Sequence, residues 1–202
     1  MTVAYANFDT SQLATVRLAN NTGKTIMSIH VSPSDSSQWG PDLLDASQTL
    51  ANGSSHEFVV LSNSASASYD ILLIDSDGYS YTKMGQNISR SRTNTFAFAR
   101  GDRGSVENLA TVTVSLKNGL DGYEIIYLFF SPSDSEHWGP DVLPSTVTLS
   151  DGKTHSFLVP VDGVITFNVR AIDEDGDSYS FDIDLKPGMR NANWTIDLTD
   201  MD

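Results

Sequence analysis

Residues 32–44 read S-P-S-D-S-S-Q-W-G-P-D-L-L and residues 131–143 read S-P-S-D-S-E-H-W-G-P-D-V-L, identical at 10 of 13 positions and 99 residues apart. A chain that repeats itself at this spacing folds as two copies of one unit, so its architecture is that of the unit and of the pair. The repetition runs beyond the signature. Val16, Leu18 and Asn20 correspond to Val114, Leu116 and Asn118, and Leu50, Gly53, His56 and Phe58 to Leu149, Gly152, His155 and Phe157. I-D-S-D-G from Ile74 corresponds to I-D-E-D-G from Ile172. The offset drifts by one residue between these blocks, as expected of loop insertions and deletions between fixed strands. The spacing predicts two domains, residues 1–104 and 105–202, each large enough to bury its own core.

Within each copy the pattern is that of strands. Short or alternating apolar runs (A-T-V-R-L-A, T-I-M-S-I-H-V, H-E-F-V-V-L, Y-D-I-L-L-I, N-T-F-A-F-A) are separated by turn residues such as N-N-T-G, A-N-G-S and D-S-D-G. The second copy repeats the scheme with Y-E-I-I-Y-L-F-F, H-S-F-L-V-P-V and T-F-N-V-R-A-I. Six or seven short strands per copy predict an all-β fold of two tandem antiparallel β-sandwich domains, immunoglobulin-like or C2-like. One helical turn is expected at residues 40–46.

Charge is unevenly divided. The whole chain carries −14, of which residues 1–104 hold −2 and residues 105–202 hold −12. Phosphate binding needs clustered cations on one face, so a nucleic-acid partner is not expected. Lys83, Arg90, Arg92, Arg100 and Arg103 form one cationic stretch, either a solvated charge run or a surface facing the acidic second copy, in the same molecule or in a neighbour. No apolar run reaches the ~20 residues of a membrane helix, so no membrane span is expected. The opening M-T-V-A-Y-A-N has neither a basic nor an apolar leader region. The chain thus reads as cytoplasmic, or as the mature form of a secreted or envelope-associated protein. With no cysteine, disulfides and thiolate chemistry are excluded.

Two motifs could carry function. In the signature, Ser-Pro ends a strand, and Ser and Asp side chains bond nearby backbone to hold an irregular loop. On the structural reading Trp39 and Trp138 cap the sandwich core, with Leu44 and Leu143 plugging back in. On the functional reading the indoles are stacking platforms for a sugar ring, or Asp35, Asp42, Asp134 and Asp141 ligate a cation. The second motif is the acidic turn, with Asp75 and Asp77 in the first copy and Asp173, Glu174, Asp175 and Asp177 in the second. Alternate carboxylates around a glycine turn supply the hard oxygen ligands calcium needs, and calcium is the one cofactor expected. Asp-Gly is equally a common hairpin turn. The strand count favours placing the two motifs at opposite ends of each sandwich, as separate sites.

The pattern S-P-S-x-S-x-x-W-G-x-D-x-L, followed by T-L-x-x-G and an acidic D-E-D-G-D-x-Y segment, resembles a recurrent bacterial β-rich module that has no assigned function. The resemblance covers nearly all of each copy and implies an exported context, but no activity and no site residue. No nucleophile elbow or convergent acid and base accompanies the abundant Ser, His and Asp, so catalysis is not expected. The expected role is a non-enzymatic binding or assembly module stabilised by calcium, with an unidentified protein or glycan ligand. The alternatives are a carbohydrate-binding module using Trp39 and Trp138, or a self-associating subunit of a homomeric assembly.

Overall fold

Alternation sets the first strand of each module. In β1 (Leu13–Asn21) Ala14, Val16 and Leu18 are buried while Thr15 and Arg17 face solvent. The computed structural model describes residues 8–44, 48–90 and 92–202. After β1 the first module continues with β2 (Ile26–Pro33), β3 (Ser55–Leu61), β4 (Ser66–Asp75), β5 (Tyr79–Ser89), β6 (Asn94–Ala99) and β7 (Arg103–Val106). The second module has β8 (Thr111–Asn118), β9 (Ile125–Pro132), β10 (Thr154–Pro160), β11 (Ile165–Asp173), β12 (Ser178–Leu185) and β13 (Asn191–Ile196).

Each module is a two-sheet sandwich. Sheet order is β3-β1-β6 over β2-β4-β5-β7 in the first, and β10-β8-β13 over β12-β11-β9 in the second. Pairing is antiparallel except that the last strand of each core, β6 or β13, lies parallel to the first, β1 or β8. The shared Asn20 and Asn118 are buried locks at the turn after the first strand. The amide of Asn20 donates to the carbonyls of Lys24 (2.8 Å) and Leu50 (2.9 Å), and that of Asn118 to Tyr123 (2.8 Å) and Leu149 (2.7 Å).

The two modules have separate cores, one around Leu18, Tyr69 and Phe98, the other around Phe130, Phe157 and Phe167. A third apolar cluster joins them: Leu61 of the first module with Phe129 and Ile172 of the second, flanked by Phe8, Leu13, Tyr127 and Trp138. The expected boundary at residue 104 falls inside β7, which completes the second sheet of the first module by pairing Arg103 with Tyr81 and Val106 with Tyr79. The connection to β8 is therefore residues 107–110. Residues 40–44 form no helical turn, because Asp42 bridges to His30 in extended pairing; residues 45 and 46 lie outside the described residues. Among the described residues no helix is long and apolar enough to cross a membrane.

Candidate functional site

The signature loop is built residue by residue from backbone needs. Ser36 accepts from the Gln38 N–H (3.0 Å) and Ser135 from the His137 N–H (2.9 Å), closing the same tight turn in both copies. A side chain on the glycine after either tryptophan would collide with the preceding strand: a Cβ at Gly40 runs into the Val31 carbonyl, and one at Gly139 would lie 2.6 Å from the Phe130 carbonyl oxygen. The final aspartate ties the loop back to that strand. Asp42 accepts from the Ile29 and Leu44 N–H groups (2.9 and 3.0 Å), and Asp141 from those of Leu128 and Leu143 (2.9 and 3.0 Å). Leu44 and Leu143 plug into their cores as the sequence predicts.

The remaining signature residues meet across the molecule. Asp35 accepts from the Ser135 hydroxyl (2.6 Å) and the Glu136 N–H (3.3 Å), while Asp134 accepts from the N–H and hydroxyl of Ser37 (both 3.1 Å). The backbone repeats this reciprocity. The Asp42 N–H donates to the Leu158 carbonyl (2.8 Å), and the Asp141 N–H to that of Val59 (2.9 Å). The modules are thus related by an internal two-fold, with each loop gripping the other module at the same place. Burial pushes the Asp35 carboxyl up, but the Ser135 hydroxyl and Glu136 N–H outweigh it and hold the group below the ordinary carboxylate range.

The tryptophans do not cap the module cores. Both are half-buried at the junction, where Trp138 packs against the cluster between modules and its carbonyl accepts from the Tyr69 hydroxyl (2.9 Å). Trp39 borders an open cavity of about 450 Å³ lined by Gln38, Asn108, Leu109, Val161 and Asp162. The two indoles occupy corresponding positions, yet Trp138 packs against the cluster of Leu61, Phe129 and Ile172 whereas Trp39 borders an open cavity.

The acidic turns sit away from the signature. Asp75 pairs in register with Ile26 at the start of β2, whereas Pro33 at its end pairs with Tyr69, so the two motifs lie at opposite ends of the sheet. Register in the second module repeats this, with Asp173 beside Ile125 and Phe167 beside Pro132. Asp75 and Asp173 are buried turn caps. Asp75 accepts from the N–H groups of Asp77 and Tyr79 (both 2.9 Å) and the Tyr81 hydroxyl (3.1 Å); Asp173 accepts from Asp175 N–H (3.0 Å), Asp177 N–H (2.9 Å) and the Tyr179 hydroxyl (2.9 Å). Glu174 and Asp175 point into solvent, and Asp77 pairs with Lys24 at 2.7 Å. Among the described residues no three His, Asp or Glu side chains are grouped to hold a metal ion. Burial, then Asp173 and Asp175, raises the proton affinity of Asp177.

No family model matches the chain, and no curated protein matches it. Among solved structures, the fibronectin(III)-like modules of Clostridium thermocellum CbhA are similar over 87% of this chain and 92% of theirs, at 10% identity and a TM-score of 0.21. At that score the likeness carries no argument. The β-sandwich assignment rests on strand order and register.

Local patterning pointed to the loop and the turn but not to the reciprocal grip. One signal was available. Asp35 and Asp134 are identical exposed residues in a loop, where drift is cheap, and a self-complementary contact demands the same residue on both sides.

Proposed function

We propose that this chain is a non-enzymatic double module for binding or assembly, in which the two sandwiches act as one rigid body. The observation that carries this reading is the reciprocal contact of the signature loops, in which Asp35 and Asp134 each accept hydrogen bonds from the loop of the other module. Calorimetry tests it. Rigid coupling expects one transition with matching calorimetric and van't Hoff enthalpies. Replacing Asp35 and Asp134 together by Ala removes four exposed hydrogen bonds, each worth about 1 kcal/mol, and should lower the melting temperature, while the apolar cluster and the two backbone bonds still join the modules. Two transitions in the wild type would overturn the coupling, and an unchanged melting temperature in the variant would remove the signature loops from it.

A second reading is favoured by the open cavity beside Trp39. An indole face bordered by Gln38, Asn108 and Asp162 suits a sugar ring, which stacks on the aromatic plane and hydrogen-bonds at its edge. Trp39→Ala should then abolish glycan retention with little change in melting, while unchanged retention removes the reading. Calcium stabilisation is proposed for the second module alone, supported by the crowding of Asp177 against Asp173 and Asp175, which a cation would relieve.

A further inference from the structure

The two modules share a fold, but at corresponding places beside the acidic turn they carry opposite charge. In the first, Lys24, Arg100 and Arg103 line a cavity of about 210 Å³ together with Thr22, Gly23 and Tyr81. The Arg103 guanidinium lies 3.4 Å from the centre of the Tyr79 ring, which holds it beside the opening. In the second module the equivalent register puts Met201 opposite Tyr179 where Arg103 stands opposite Tyr81. Leu198 takes the place of Arg100, Asp177 that of Tyr79, and Glu174 and Asp175 project from the turn into solvent.

These surfaces do not neutralise each other within one molecule. The four ion pairs among the described residues, Arg17–Glu57, Lys24–Asp77, Lys83–Asp102 and Arg170–Asp202, each lie within one module. Arg100 and Arg103 remain exposed, as do Glu174 and Asp175.

We propose that the cationic cavity of the first module receives the acidic turn of the second module of another copy, with Glu174 and Asp175 meeting Arg100 and Arg103. A concave basic site and a projecting acidic turn on one chain are complementary in shape and charge, and guanidinium forks grip carboxylates in two-bond geometry. Because each copy offers one of each, the contact is head-to-tail and can propagate or close into a ring. The inference rests on the assembly reading and names its partner and surface.

Sedimentation velocity of the whole chain tests it, at an ionic strength near 0.1 M, where the Debye length of about 10 Å screens the net charge of −14 but not a direct contact. The wild type should associate, and raising salt to about 1 M should dissolve the assemblies. Arg100→Glu with Arg103→Glu should be monomeric, as should Glu174→Lys with Asp175→Lys. Mixing the two variants should restore association, since the reversed surfaces complement each other. Should a charge reversal impair folding by circular dichroism, Arg100→Gln and Glu174→Gln replace them, each expected to weaken association about tenfold. A monomeric wild type, variants that associate like the wild type, or a mixture that stays monomeric overturns the proposal. If the calorimetric coupling of modules persists in that case, only this surface has failed and the rigid double module stands.

Discussion

Two buried groups near the junction titrate in opposite senses. Burial lowers the His30 pKa to about 4, and pushes that of Asp141 up to about 7 against the pull of the Leu128 and Leu143 N–H groups. Between pH 4 and 6.5 the unfolded chain protonates His30 while the native one does not, so this residue lowers stability on acidification, by up to about 3 kcal/mol. Over the same window native Asp141 keeps a proton that the unfolded chain has lost, so this residue raises stability on acidification. In the wild type the two offset. His30→Phe, which installs the residue that the second module has at Phe129, should leave Asp141 acting alone, and melting should rise as pH falls from 7 to 5. Asp141→Asn should do the reverse, losing melting temperature from pH 6.5 downward. Flat or identical profiles in both variants would refute the assignment.

At the level of elements, the acidic turns are hairpins closed by their own first aspartate. Asp173→Ala strips the acceptor of two N–H groups and a tyrosine hydroxyl, and should lower the melting temperature of the second module in chelator as well as in millimolar calcium. Calcium acting through Asp177 should instead raise melting in the wild type and not in Asp177→Tyr, which copies Tyr79 of the first module. A loss in Asp173→Ala confined to calcium would mean that Asp173 is a ligand rather than a cap. Most strands were legible, because alternation such as Ala14, Val16, Leu18 reports directly which face is buried. The parallel pairing of β6 with β1 was not, since periodicity tells a strand which way to face but not which neighbour to join. The junction was hidden for the same reason. Trp39 and Trp138 look like core residues by type, and only the packing of one module on the other decides that they lie between cores.

For the molecule as a whole, the internal two-fold makes the junction a closed contact. Asp35 and Asp134 are each taken up by the other module's loop, so these residues are not free to pair with a second chain. The parallel pairs β1 with β6 and β8 with β13 have a consequence of a mechanical kind. A pull applied to the start of β1 and the end of β6 draws the two strands past each other along their length, so all six registered positions from Val16–Asn94 to Asn21–Ala99 bear load together. Antiparallel neighbours pulled from the same end would peel open one bond at a time. Single-molecule stretching between the start of β1 and the end of β6, or the start of β8 and the end of β13, should therefore show rupture at high force in one step, and Ala97→Pro, within the paired stretch of β6, should lower that force. A chain held under tension between two anchors would lengthen only after this shear clamp yields.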